Sequence, residues 1–242
     1  MKKITLFLLL LSPIATWAQR VMTPELLWSL GRVSSVSTSP DGKKLLYRIS
    51  KTDIATEKSN TEYYLLNLDN AQQSLSNILD GKSFVQWDNN GLYASKGEEL
   101  LKSTDEGKTW TTVSVQLKDA ENIRVSPDGK WIAFSKPVSA EKILGTEIYS
   151  DVKNSTAQVY TGLNYRHWDA WNEGKVNHVF VTSIDNPRTP VRDILQNEPY
   201  DCPQKPFGGS EDFVFSSDSK MIVYVSKKKT GKEYAQSTNT DI

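Results

Sequence analysis

The chain is poor in the residues on which much protein chemistry is built. Among its 242 residues there is one cysteine, Cys202, and there are two histidines, His167 and His178. A single cysteine excludes an internal disulfide framework and every paired-cysteine metal or redox motif, so Cys202 reads as a structural thiol. The histidines stand 11 residues apart without ligand-rich neighbours, which gives them structural or surface roles and leaves no metal or cofactor motif. There is no G-x-S-x-G nucleophile elbow, no H-E-x-x-H and no phosphate-binding loop. Nor is there an excess of base: Lys and Arg number 29 against 29 Asp and Glu, a formal charge of zero, which speaks against nucleic acid as a partner.

Long apolar runs are equally scarce, and the one that stands out lies at the start. MKKITLFLLLLSPIATWAQR combines two lysines, an apolar run from Ile4 to Leu11, a break at Pro13 and a small-residue site ending at Ala18. This is the pattern of a secretory signal peptide over residues 1–18, cleaved after Ala18. It is too short and too interrupted for a membrane span, which needs about 20 apolar residues. The expected location is periplasmic or secreted, with a formal charge of −2 once Lys2 and Lys3 are removed.

What the chain does have is a recurring turn. Ser39-Pro40-Asp41-Gly42 returns as Ser126-Pro127-Asp128-Gly129. In such a turn Pro fixes φ, Asp bonds back to the local backbone and Gly takes the left-handed conformation, so the strand reverses. Leu45 and Tyr47 follow the first copy, and Ile132 and Phe134 the second, with Leu46, Trp131 and Ala133 between them. Strands apolar on both faces belong between layers. A third copy, Phe215 to Lys220 followed by Ile222 and Tyr224, has lost Pro and Gly. Two fainter copies are Trp87 to Tyr93 and Trp171 to Lys175, the latter leading into His178 to Val181.

With Gly42, Gly91, Gly129, Gly174 and Ser219 as equivalent points, the spacings are 49, 38, 45 and 45 residues. A period of roughly 40 to 50 residues is that of a four-stranded propeller blade. The expected fold is all-β, a partial β-propeller of about five four-stranded blades over 33–242, preceded by a lead-in at 19–32. The last residues, Ser237 to Ile242, run into a further strand with no closing turn. The chain therefore reads as the front part of a longer protein.

Two segments raise the question of chemistry. Ser103 to Trp110 fits the S-x-D-x-G-x-T-W box of sialidases and other propellers, where Asp and Gly shape a hairpin and Trp packs beneath it. The box occurs once, and a structural role competes with sialidase kinship. Tyr165 to Trp171 alternates aromatic, basic and acidic side chains along an expected strand, which makes Arg166, Trp168, Asp169 and Trp171 the candidate substrate-channel residues. Packing between blades, with an Arg–Asp pair, is the competing reading. The Lys227 to Lys229 run with Thr230-Gly231-Lys232 reads as a solvated hairpin tip.

Several of these stretches carry a resemblance to a known family. Met22 to Leu27 leading into Arg32-Val33 and the first S-P-D-G, the R-H-W-D-A-W segment, Val191 to Leu195, Pro206 to Phe213, Lys228 to Ala235 and Ser237 to Ile242 resemble secreted bacterial serine peptidases of the prolyl oligopeptidase family. The likeness is to the dipeptidyl peptidase 5-like and acylaminoacyl peptidase-like branch, and covers nearly all of 19–242. It implies a propeller of seven or eight blades followed by an α/β-hydrolase domain bearing Ser, Asp and His. No residue here matches that triad, so no catalytic residue is carried over. The implied role is that of a propeller that gates access of short peptides to a catalytic domain outside this chain. A TolB-like periplasmic interaction platform and a sialidase-like glycosidase stand as alternatives.

Overall fold

In a computed structural model the described residues are 22–69, 79, 81–163 and 165–242. The signal peptide expected at 1–18 lies outside them. The lead-in carries helix α1, Pro24–Ser29, where Thr23 Oγ1 accepts the Leu26 N–H at 3.2 Å and Pro24 takes the first turn, in which its missing donor is not needed.

The rest is built from successive antiparallel meanders. Strands β1 (Arg32–Thr38), β2 (Lys44–Asp53) and β3 (Lys58–Asn67) form the first sheet. The second holds β4 (Ser83–Asp88), β5 (Gly91–Lys96), β6 (Glu99–Ser103) and β7 (Thr111–Gln116) in sequence order. The third runs β8 (Glu121–Val125), β9 (Trp131–Ser139), β12 (Lys175–Ser183) and β13 (Arg192–Asp193). Between β9 and β12 is inserted a segment that holds helix α2 (Gly145–Ile148) and the hairpin β10 (Arg166–His167) and β11 (Ala170–Trp171). A two-stranded sheet follows, β14 (Phe213–Phe215) and β15 (Ile222–Tyr224), then helix α3, Gly231–Gln236.

The recurring turn is reproduced bond for bond. In the first copy the Ser39 hydroxyl donates to Asp41 Oδ1 at 2.5 Å, the Lys44 N–H donates to Ser39 Oγ at 2.9 Å and the Lys43 N–H to Asp41 Oδ1 at 3.1 Å. In the same order of bonds, Ser126, Asp128, Trp131 and Lys130 repeat this network with 2.6, 2.9 and 3.1 Å, and Ser216, Asp218, Met221 and Lys220 with 2.7, 3.0 and 3.2 Å. The residue that closes each turn is left-handed, with φ of +71° at Gly42, +69° at Gly129 and +61° at Ser219. The third copy keeps the turn because its side-chain bonds survive the loss of Pro and Gly. Each copy joins the first and second strands of a sheet, as does the fainter one ending at Gly91.

The copy at Gly174 is different and corrects the expected count. Gly174 precedes β12, the third strand of a sheet already begun at β8, and β12 pairs with β9 over its whole length. The Gly174 carbonyl accepts from the N–H groups of Ala140 and Glu141, so this glycine closes the base of the insertion. Its absent side chain is essential there, because a Cβ would sit 2.2 Å from the Glu141 carbonyl oxygen. Among the described residues the repeat thus marks four successive sheets, of three, four, four and two strands, where five four-stranded units were expected. The Lys227 to Lys232 stretch is likewise no hairpin tip, for it leads into helix α3.

Three apolar layers lie between the sheets. Leu46, Leu79, Leu92 and Ala94 fill the first, and Tyr93, Leu100, Val125, Ile132, Phe134 and Phe180 belong to the second. Ala133, Val179, Leu195, Cys202 and Phe213 fill the third, with Ile222 and Tyr224 packed against it. Ile132 and Ala133, adjacent on β9, therefore face different layers, as two-sided burial requires. At the equivalent positions Tyr47, Ile132 and Phe134 are buried and Leu45, Ile222 and Tyr224 half-buried. Burial pushes the Cys202 thiol up to about 12, leaving it an inert packing group.

The first strands of successive sheets touch: β1 meets β4, β4 meets β8, and β8 meets β14. Side chains stitch these contacts. The Gln86 amide donates to the Val125 carbonyl at 2.6 Å and accepts the Val125 N–H at 2.8 Å, while Arg124 donates twice to the Ser210 carbonyl, at 3.0 and 2.7 Å. The turns also meet at one end, where the Asp128 N–H donates to Ser219 Oγ at 3.0 Å and Lys44 pairs with Glu106. In a meander the first and third connections share one end and the second lies at the other. The recurring turns and the β6–β7 turn thus mark one end, and the insertion after β9 the opposite one.

Candidate functional site

The segment Tyr165 to Trp171 does not form one strand. It reverses at Trp168-Asp169, with Arg166 paired to Trp171 and His167 to Ala170. Trp168 occupies the left-handed region at φ +50°, an unusual conformation for a bulky side chain and one that stores strain. The Arg166 Nε donates to the Trp168 carbonyl at 2.8 Å and helps to hold the turn.

The expected Arg–Asp pair is absent. The Arg166 guanidinium lies over the Trp171 ring, 5.1 Å from its centroid, and Asp169 makes no ion pair or hydrogen bond among the described residues. Packing between sheets is also not what the hairpin does, since Arg166, Trp168, Asp169 and Trp171 are all exposed, Trp168 by 76%. The sequence pattern does bring the four residues together on one projecting hairpin.

Two aromatic clusters flank it. On one side Tyr160, Tyr165 and Trp171 have centroids 5.6 to 6.1 Å apart, and Tyr160, Tyr165 and Trp171 line a cavity of about 400 Å³ with Thr161 and Gly162. The Tyr160 hydroxyl donates to the Asn172 carbonyl at 2.9 Å, tying this cluster to the base of the hairpin. On the other side His167 stacks on Trp168 at 5.0 Å, and Phe207 meets both rings edge-on at 5.8 and 6.2 Å.

Phe207 is a member that sequence reasoning missed, and it comes from the connection between β13 and β14. Its position follows from the chemistry of Pro206 to Phe213. The Gly208 N–H donates to the Gln204 carbonyl at 2.6 Å, and Asp212 Oδ2 accepts the Gln204 N–H at 2.7 Å. A Cβ on Gly208 would lie 2.1 Å from that carboxylate oxygen, so the close approach needs glycine. The tight loop holds Phe207 75% exposed beside the hairpin. Large exposed aromatic patches mark interaction surfaces.

The two histidines divide between surface and core. His167 belongs to the exposed cluster, whereas His178 is buried with Nδ1 2.8 Å from Asp193 Oδ2 and Nε2 2.9 Å from the Glu198 carbonyl oxygen. Both ring nitrogens of His178 are occupied, and neither faces a serine hydroxyl. The Asp box also takes a structural form. The Ser103 hydroxyl and the Thr109 N–H and hydroxyl donate to the Asp105 carboxylate at 2.7 to 2.8 Å, and the Trp110 indole donates to the Gly107 carbonyl at 2.9 Å. The three bonds to its carboxylate, the Thr109 N–H first, hold the Asp105 carboxyl down at about 2. Among the described residues no group of His, Cys, Asp and Glu forms a metal site, and no helix is long and apolar enough to cross a membrane.

Comparison with known proteins places this architecture. No protein-family model matches the chain. Dipeptidyl-peptidase 5 of Porphyromonas gingivalis is 34% identical over 91% of this chain and 33% of its own length. Dipeptidyl-peptidase 5 of Porphyromonas endodontalis is 31% identical over 92% and 33%. In fold, an acylaminoacyl peptidase solved in complex with Z-Gly-Gly-Phe-chloromethyl ketone matches 83% of this chain and 28% of its own, with a TM-score of 0.53 at 9% identity. Uncomplexed Pyrococcus horikoshii acylaminoacyl peptidase matches 82% and 28%, with a TM-score of 0.52 at 9% identity. The chain spans about a third of the length of the curated relatives it matches. Over that span the chain is similar in sequence to dipeptidyl-peptidase 5 and in fold to acylaminoacyl peptidases.

Proposed function

We propose that this chain is the substrate-gating propeller portion of a secreted serine exopeptidase that acts on short peptides, and that the nucleophile, base and oxyanion hole are supplied by an α/β-hydrolase domain beyond Ile242. The observation that carries the reading is the 34% identity to a dipeptidyl-peptidase 5 over 91% of the chain. The contacts of first strand to first strand, from β1 through β4 and β8 to β14, support a propeller, because blades meet around an axis by their innermost strands. Peptide hydrolysis needs a histidine free to take a proton from a nucleophile, and the occupied nitrogens of His178 are unsuited to that task.

In this reading the hairpin end faces the catalytic domain. Trp168, Trp171 and Phe207 give stacking surface, Arg166 a cation, and Asp169 an unpaired carboxylate to short peptides that reach the site. The test uses the protein extended past Ile242. Asp169→Ala and Trp171→Ala should raise KM for dipeptidyl substrates and leave the urea midpoint in place. A large loss of stability with unchanged KM would assign the hairpin to packing instead.

A further inference from the structure

The segment inserted between β9 and β12 leaves the body of the fold and returns to it through a narrow base. On the way out Ile143 and Gly145 are the last buried residues, and on the way back Gly174 is the first, its carbonyl taking the Ala140 and Glu141 N–H groups. From 146 to 173 no described residue is buried. Few buried apolar contacts and an exposed backbone mark a unit that opens at low cost.

The arm nevertheless holds itself together. The Gly145 N–H donates to the Ala157 carbonyl, the Val159 N–H to the Ile143 carbonyl and the Asn172 N–H to the Tyr165 carbonyl, each at 2.8 Å. The rings of Tyr160, Tyr165 and Trp171 pack on one another within it. These contacts make it one body.

Away from the base, one cluster ties the arm to the rest of the molecule. Among the described residues, the only hydrogen bond, ion pair or ring contact from 146–173 to the chain beyond the base is that of His167 and Trp168 with Phe207. Phe207 stands on a fixed post, because the Gln204 amide at the foot of its loop donates to the Tyr234 hydroxyl at 2.6 Å and accepts the Lys227 N–H at 3.0 Å. The contact itself is small, with Trp168 76% and Phe207 75% exposed. An aromatic pair of this kind shifts an equilibrium by about 2- to 13-fold.

Trp168 supplies a second observation. It takes the first central position of a two-residue turn at φ +50°, a place where glycine is free of strain, and its ring meets His167 and Phe207. Closure of the turn alone would be served better by glycine.

We propose that the segment from 146 to 173 is a hinged lid, pivoting at the Gly174 base and latched shut by His167 and Trp168 on Phe207. In the closed state His167 stacks on Trp168 and Phe207 meets both edge-on, so the rings occupy one another. Opening parts them and frees their faces for an entering peptide. This part in peptide entry rests on the peptidase reading, whereas the hinge and the latch do not.

The two are tested separately. The 242-residue chain is labelled with 5-fluorotryptophan, and the Trp168 resonance is assigned by its loss in Trp168→Phe. The expected result is exchange of Trp168 between two environments on the μs–ms scale, with Trp87, packed in the first layer, unaffected. Phe207→Ala removes both ring contacts and should shift the open-to-closed ratio by about fivefold or more. Absence of exchange in both proteins, or the same populations in both, overturns the lid. In the protein extended past Ile242, His167→Cys and Phe207→Cys are joined by a short, reducible bis-thiosulfonate reagent, with which the buried Cys202 does not compete. The bridged protein should lose dipeptidyl turnover by about tenfold or more and regain it on reduction. Unchanged turnover after bridging overturns the gating role. No turnover before bridging counts against the peptidase reading alone, and the fluorine measurement then decides the lid by itself.

Discussion

Gly42 and Gly129 stand at the same position of the same tetrapeptide, with φ of +71° and +69°, yet alanine should cost different amounts at the two sites. An L side chain in the left-handed region is worth about 1–2 kcal/mol of strain, partly offset by about 0.4–1 kcal/mol through the stiffer unfolded chain. At Gly42 a Cβ would meet nothing within 4 Å, so Gly42→Ala should cost about 1 kcal/mol and no more. At Gly129 a Cβ would lie 2.4 Å from Asn90 Nδ2 and 3.0 Å from Tyr93 Oη. The Asn90 amide can swing away, but Tyr93 is fully buried and cannot. Overpacking of this kind adds about 1–3 kcal/mol, which puts Gly129→Ala at about 2–4 kcal/mol. Urea unfolding of both variants, read at unchanged m-value, measures the difference. Asn90→Ala in each background closes a double-mutant cycle and should recover part of the excess at Gly129 alone. Equal costs at the two glycines would refute the docking of the third sheet's turn against the second sheet.

The remaining expectations concern other contacts. Gln86→Ala should cost about 2–4 kcal/mol, because it removes two bonds across β4 and β8 and leaves the Val125 backbone groups without those partners, whereas Gln86→Glu keeps the acceptor and loses only the donor. In acid, the carboxyls of Asp41, Asp128 and Asp218, lowered chiefly by their serine hydroxyls, and of Asp105, held at about 2, stabilise the fold fully above about pH 4, and this contribution is lost as pH falls through the folded values. Asp105→Asn should therefore lower the urea midpoint at pH 6 and converge with the unaltered chain near pH 2. Trp168→Gly should leave the unfolding free energy measured in urea unchanged or raise it by about 1 kcal/mol, since it relieves a left-handed bulky residue on an exposed turn.

How far the sequence was legible depended on the range of each interaction. The turns could be read because their bonds close within five residues, and Ser216 and Asp218 preserved the third copy after Pro and Gly had gone. The same locality misplaced Gly174. Its N–H donates to Asn172 Oδ1 at 2.8 Å, a sound local turn, but nothing in W-N-E-G-K tells whether a turn opens a sheet or returns an insertion to one. The alternation in R-H-W-D-A-W looked like a strand because a bulky residue gives no warning of a left-handed backbone at Trp168. Phe207 against His167, Asp193 on His178 and Arg124 on the Ser210 carbonyl bridge 15 to 86 residues, and no local pattern encodes them.

The proposal that this chain gates a catalytic domain is tested most directly by partition of activity. The 242-residue chain and the protein extended past Ile242 are assayed side by side with dipeptidyl and acylaminoacyl chromogenic substrates, with and without a serine-directed phosphonylating inhibitor. The account predicts inhibitor-sensitive turnover by the extended protein and none by the 242-residue chain. Inhibitor-sensitive turnover by the 242-residue chain, or an extension with no G-x-S-x-G elbow and no activity, would contradict it.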